Sequence, residues 1–495
     1  MSNAPFFNFD NSYARLPELF YALVPPTPSM SPELIQFNPA LAELLGLDFS
    51  ALSGEEMALI FGGNTIPEDA KPLAMAYAGH QFGNLNPQLG DGRAVLLGET
   101  IGTDGLRYDI QLKGPGRTPF SRSGDGRAAL GPILREYLLS ESMAALSVPT
   151  TRALAAVTSG EFIMRERMVP GAILTRVSRS FVRVGTFQFF AIRDNPEALK
   201  ELADYVIARN YPELESHDAP YLALLNAVTK RQASLIARWM QLGFIHGVMN
   251  TDNMSIAGET IDYGPCAFLD DYHPEKVFSS IDREGRYAYQ NQPAAGHWDL
   301  CRLAEALMPL LHEDREEAAK LAQTAINEFP PLYTAYWLTG MCHKLGLTEV
   351  QDGDKELVED LLNRMARNKA DFTLTFRHLS DALNNSDERD QPIRDLFTNA
   401  ADFDGWALKW RERLTQETRN NIERQQAMYA VNPLYIPRNH LVEAVIRAAE
   451  DHQDFGPFHE LLTVLEQPYT QQDSREQYAL PPRPGQEVLR TFCGT

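Results

Sequence analysis

The sequence predicts an α+β fold of two lobes, a strand-rich one followed by a helical one, with an N-terminal extension and a helical C-terminal extension. Three observations lead there. At 495 residues the chain exceeds the size at which one hydrophobic core stops growing, so two or three packed units are expected. Residues 90–186 are rich in Gly and Arg and show strand-like alternation, whereas beyond Trp298 apolar residues recur mostly at helical spacing. A composition of 44% hydrophobic and 10% aromatic residues supplies real cores for both parts.

The elements follow in order. Residues 1–75 form the N-terminal extension, with short helical stretches such as NPALAELLGL broken by Pro-rich PPTPSMSP. Residues 76–205 form the small lobe. There RYDIQL places Tyr108, Ile110 and Leu112 on one strand face and ends at Lys113, and Gly131-Pro132 opens a helix through ILREYLLSESMAAL. Residues 206–330 form the large lobe, beginning with an amphipathic helix over 221–242 (Leu225, Val228, Leu235, Trp239, Leu242) that Gly243 terminates. The following segment reads as a loop, a short MSI strand, a turn at Ala257-Gly258-Glu259-Thr260, and a return strand ending at Asp262. Residues 331–495 are the helical extension, with ELVEDLLNRMA, DGWALKWRERL and HLVEAVIRAAE.

Composition narrows the function. A net charge of −21 repels polyanions at long range and argues against nucleic-acid binding, though clustered Arg and Lys still admit a single nucleotide. No apolar run is long enough to span a bilayer. The first residues lack the cationic start and apolar stretch of a secretory signal, so a cytoplasmic location is expected. Four cysteines, without CxxC spacing, make neither a disulfide scaffold nor a zinc site.

Five features then fall in one order: a Gly-rich turn, a strand Lys, a helical Glu, a His-containing loop ending in Asn, and Asp-aromatic-Gly. Gly90 and Gly92 sit in GDGRA, a string that recurs at Gly124-Asp125-Gly126-Arg127-Ala128, and glycines let backbone approach phosphate. Lys113 supplies a point charge to phosphate and Glu136 on the facing helix holds it. Asn253 and Asp262 offer oxygens suited to Mg²⁺. His246 through Asn253 falls in register with the kinase loop H-R-D-L-x-x-x-N, but the position of the kinase base holds Val248, which cannot accept a proton. Asp252 is the nearest replacement. Each member alone has an ordinary reading as a tight turn, a solvated strand end or a loop histidine, and His246 is assigned a structural role. Asp299 in HWDL, near a helix start, is read as an anchor for the loop backbone or as an N-cap, not as a catalyst. Together they predict a protein-kinase-like two-lobed fold with a nucleotide site.

Arginines crowd the same region of an acidic chain: Arg117, Arg122, Arg127, Arg165, Arg167, Arg176, Arg179 and Arg183. Surface ion pairs account for about half of such a set. Arg176 and Arg183 are the better phosphate candidates.

At this point the sequence resembles the selenoprotein O family of pseudokinases. YAGHQFG (77–83), LGDGRAVLLGE (89–99), QLKGPGRTPFSRSGDGRAAL (111–130), HGVMNTDNMSI (246–256), IDYGPCAF (261–268), GHWDLCRLAEAL (296–307) and NPLYIPRNHL (432–441) carry the resemblance over nearly the whole chain. The family implies a kinase-like fold that binds ATP inverted and transfers AMP to Ser, Thr or Tyr hydroxyls of proteins. By the same resemblance Gly90, Gly92, Arg93, Asp125 and Gly126 line the nucleotide site, and Lys113 pairs with Glu136. Arg176 and Arg183 hold the terminal phosphates, Asn253 and Asp262 bind Mg²⁺ or Mn²⁺, and Asp252 is the general base. The expected partners are ATP and protein hydroxyls, with no nucleic acid and no membrane, and the chain is expected to be a monomer. Cys493 stands where family members carry selenocysteine; a redox bridge from it to the region after Asp262 would have Cys266 as its nearby partner. Two rivals stay open, a conventional phosphotransferase and a nucleotide-binding module without turnover.

Overall fold

The computed structural model describes residues 7–384 and 386–492. Its strands are β1 (Tyr21–Leu23), β2 (Glu33–Phe37), β3 (Leu73–Met75), β4 (Gly79–Gln81), β5 (Asn84–Asn86), β6 (Ala94–Ile101), β7 (Arg107–Lys113), β8 (Ala128–Ala129), β9 (Arg152–Met164), β10 (Met168–Ser178), β11 (Phe244–Ile245) and β12 (Ala267–Phe268). Eight of them form one sheet of path β1-β3-β6-β7-β10-β9-β2, with β8 paired to β10. Helices dominate after Asn195, so the chain is a mixed α+β protein.

The alternation in RYDIQLK decides what each face of the sheet does. Ile110 and Leu112 are fully buried in a core with Leu97, Leu154, Val157, Ile173 and Val177. The N-terminal helices Pro39–Leu44 and Gly54–Phe61 close that core from outside. The intervening residues Asp109, Gln111 and Lys113 project from the other face and are buried too, so they need polar partners. Register supplies one: Gln111 lies directly opposite Arg176 of β10.

On that polar side the helix Leu130–Ala145 crosses β9 and β10 and buries Glu136. The helix Pro220–Leu242 ends as expected at Gly243, which takes φ +72° and donates its N–H to Trp239 O. Helices Gln292–Leu311, Arg315–Asn327 and Phe329–Lys344 pack on it. The late helices Asn439–His452 and Gly456–Leu465 return to the Leu130–Ala145 helix, where Glu450 accepts from the Gly131 N–H at 3.1 Å. Among the described residues no helix is long and apolar enough to cross a membrane.

Two expectations are corrected. The MSI and return strands do not pair with each other. Ser255 bridges Arg183 and Thr260 bridges Thr150, so both edges bond to distant chain that local pattern cannot reveal. Asp299 is neither N-cap nor backbone anchor: its helix starts at Gln292, and neither buried carboxylate oxygen has a donor within reach. The anchoring falls to fully buried Gln292. It accepts from the His246 N–H at 2.9 Å and donates to Phe244 O at 2.9 Å.

Candidate active site

Asp262 is the centre of the site. It has φ +63°, a conformation rare outside glycine that Asp tolerates better than most residues. Three cations converge on its carboxylate: Arg176 at 2.7 Å, Arg183 at 3.1 Å and Lys113 at 3.3 Å. Burial alone would raise its pKa, but Arg176, Lys113 and Arg183 hold it well below the usual carboxylate range. Lys113 also donates to Glu136, as the strand-Lys and helix-Glu pattern predicts, and Arg176 reaches the other Glu136 oxygen at 3.3 Å. The two arginines lie on opposite sides of a turn held by Asp109, which accepts from the Phe181 N–H at 2.8 Å, and by Glu259, which accepts from the Arg179 N–H at 3.1 Å.

Beside this cluster runs the 246–253 loop. His246 is structural, as expected: buried, with Nε2 2.9 Å from Ile261 O and a pKa pushed down by burial. Val248 is buried and apolar. Asn253 donates its amide nitrogen to Val248 O at 3.0 Å. Asp252 is 7% exposed; its pKa is pushed up to about 6, chiefly by burial, with Arg183 opposing. Its Oδ1 has no hydrogen-bond partner within the protein, which suits a proton acceptor.

The sequence reading missed what steadies this loop. The β4–β5 hairpin lies along it: His80 N–H donates to Thr251 Oγ1 at 2.7 Å and Phe82 N–H to Asn250 Oδ1 at 3.0 Å. Tyr287 holds the same Asn250 oxygen at 2.8 Å. The hairpin meets Asp252 at two points: Gln81 Nε2 donates to Oδ2 at 3.5 Å, and Gly79 packs so closely that a Cβ there would sit 2.4 Å from Oδ1. Gly79→Ala therefore displaces Asp252. It is expected to lower turnover by roughly 10²-fold with the ATP KM little changed, checked by steady-state kinetics.

Other candidates lie further out. In the 90–92 turn, the N–H groups of Gly90, Asp91 and Gly92 already bond Tyr77 O, Met75 O and Gly90 O. The glycines there permit close packing, since a Cβ on Gly90 would lie 2.3 Å from the Phe120 ring. Arg93 O accepts from the Gly114 N–H at 2.7 Å, beside the end of β7. Asp125 is half-exposed and paired bidentately with Arg165 at 2.8 and 3.0 Å, and Gly126 O accepts from the Gly116 N–H. Ion pairs also absorb Arg127 (Glu161) and Arg167 (Glu450, Asp451). Cys493 lies outside the described residues, and Cys266 is buried. The tail nonetheless docks nearby: Thr491 bridges Ser279 and donates its hydroxyl to Pro265 O at 2.5 Å.

The donor set fits a hard divalent cation. Among the described residues no group of three or more His, Cys, Asp or Glu is arranged to hold a metal. Asn253 and Asp262 are half-buried and offer oxygen donors, the few-ligand habit of Mg²⁺, which keeps waters and shares phosphate oxygens.

A family model described as protein adenylyltransferase SelO matches residues 5–466. The "Protein nucleotidyltransferase YdiU" of Rhodopseudomonas palustris strain BisB5 is 60% identical over 489 residues, 99% of each chain. Proteins of the same name from Bradyrhizobium diazoefficiens and Agrobacterium fabrum are 58% and 56% identical, covering 99% and 98% of this chain and 99% of each relative. The chain therefore belongs to the SelO family of protein adenylyltransferases and is a protein nucleotidyltransferase.

Proposed function

We propose that the protein transfers AMP from ATP to Ser, Thr or Tyr hydroxyls of other proteins and releases pyrophosphate, in a kinase-like two-lobed fold with the nucleotide inverted. The lobes are residues 76–205 and 206–330, flanked by extensions 1–75 and 331–495, and the chain works as a cytoplasmic monomer. One observation carries the reading. Three buried cations meet at Asp262 while the position of the kinase base is Val248 and Asp252 stands beside it.

Arg176 and Arg183, 2% and 3% exposed, form a recessed basic floor that favours the β- and γ-phosphates. With those phosphates inward, the α-phosphorus faces the Asp252 loop. Lys113, steadied by Glu136, adds charge to the phosphates, and Gly90, Gly92, Arg93, Asp125 and Gly126 form the outer wall. Asn253 and Asp262 would hold Mg²⁺, or Mn²⁺, which when bound neutralises charge developing on the phosphates. Asp252 takes the proton of the acceptor hydroxyl as its oxygen bonds to the α-phosphorus. The bond to the β-phosphate oxygen breaks, and the arginines retain the departing pyrophosphate. The test is product analysis with ATP and Mg²⁺: pyrophosphate is expected in step with modified protein, and ADP in step with modification would mean phosphoryl transfer instead.

A further inference from the structure

The two arginines share one pattern. Each sends Nη1 forward to Asp262, at 2.7 Å from Arg176 and 3.1 Å from Arg183. Each sends Nη2 backward, Arg176 to a neutral partner on β7 and Arg183 toward an acidic one in the 90–92 turn. Arg176 Nη2 donates to Gln111 Oε1 at 2.5 Å, and Arg183 Nη2 lies 3.9 Å from Asp91 Oδ1. Gln111 and Asp91 are themselves joined, Gln111 Nε2 donating to Asp91 Oδ2 at 3.1 Å. That oxygen also accepts from the Met75 N–H at 3.1 Å, which ties the pair to β3.

The chemistry of the amide makes this chain one-directional. Its oxygen must face the guanidinium and its nitrogen the carboxylate, since the reverse sets donor against donor. Gln111 is fully buried and Asp91 is 2% exposed, so bulk water does not compete. Aromatic faces fix the guanidinium planes: Phe181 lies 5.2 Å from Arg176 and Tyr77 lies 4.6 Å from Arg183.

We propose that Gln111 and Asp91 are positioning residues, a buried amide–carboxylate relay that splays Arg176 and Arg183 and aims both at one point, so setting the preference for a nucleoside triphosphate over a monophosphate. The inference rests on the reading that these arginines hold the outer phosphates. Long side chains held by a supporting shell bind at lower ordering cost than free ones, so the relay acts on affinity for phosphates and not on the nucleoside.

The experiment measures Mg²⁺-dependent affinity for ATP and for AMP by calorimetry on full-length Gln111→Met, Asp91→Asn and Arg176→Ala, with thermal melts to confirm folding. Asp91→Asn is the selective variant. Its remaining oxygen keeps the bonds to Met75 and Gln111, and only the atom facing Arg183 changes. Expected is at least ~10-fold weaker ATP binding in Gln111→Met and Asp91→Asn, with AMP affinity within ~2-fold. If Gln111→Met does not fold, Asp91→Asn alone decides. Equal losses for ATP and AMP would overturn the proposal, and so would near-native ATP affinity in both relay variants while Arg176→Ala loses it. Near-native ATP affinity in Arg176→Ala would instead overturn the phosphate reading itself.

Discussion

Asp262→Asn is expected to lower AMP transfer by at least ~10³-fold and to abolish metal-dependent ATP binding. Asn is the informative replacement because it, like Asp, tolerates the left-handed backbone at φ +63°, so the turn into Tyr263 and Gly264 survives. What disappears is the charge that draws in Arg176, Arg183 and Lys113 together and that, in the proposed function, would also hold a divalent cation. Removing it leaves a cationic floor without the carboxylate proposed to bind metal. ATP binding measured without metal is therefore retained or strengthened, while binding with Mg²⁺ gains nothing further. Titration of both forms with and without chelator reads this directly, and a metal response in Asp262→Asn equal to that of the unmodified protein contradicts it.

Asp252→Asn is expected to leave ATP affinity within about 2-fold and to reduce turnover by roughly 10²–10⁴-fold. The residue is buried, its pKa stands at about 6, and its Oδ1 is unengaged within the protein. With Val248 at the kinase position, no other carboxylate in the loop offers to take the hydroxyl proton. The amide preserves size and the contact with Gly79 but cannot accept a proton at that step. Single-turnover rates at saturating ATP separate this from binding; an unchanged rate would remove Asp252 from the mechanism.

Much of this geometry was legible in residues 108–113. Alternation alone separates the apolar Ile110 and Leu112 from the polar face that carries Lys113, and the order of motifs links Lys113 to Glu136 and Asp262. The role of Gln111 was not, because its partners come from register with β10 and from Asp91, both distant in sequence. Cross-strand partners do not imprint on a single strand's pattern. The same limit hid the β4–β5 hairpin, whose contacts to residues 250–252 span more than 160 positions. It also made a hairpin out of residues 254–262, whose edges bond to Arg183 and Thr150 instead. Asp299 was misjudged because a helix start was read at His297, whereas Pro293 places it a turn earlier, after Asn291. The glycines of the 90–92 turn were legible as close-approach positions, but the approaching group is the Phe120 ring.

The central claim is that the α-phosphorus, not the γ-phosphorus, is presented to the acceptor hydroxyl. Incubation of the protein and Mg²⁺ with ATP labelled separately at the α- and γ-phosphates, followed by intact-protein mass analysis, tests it most directly. Label entering protein only from the α-position, with the mass gain of AMP, is the predicted result. Label entering from the γ-position would contradict it and leave the convergence of Arg176 and Arg183 without the role given to it.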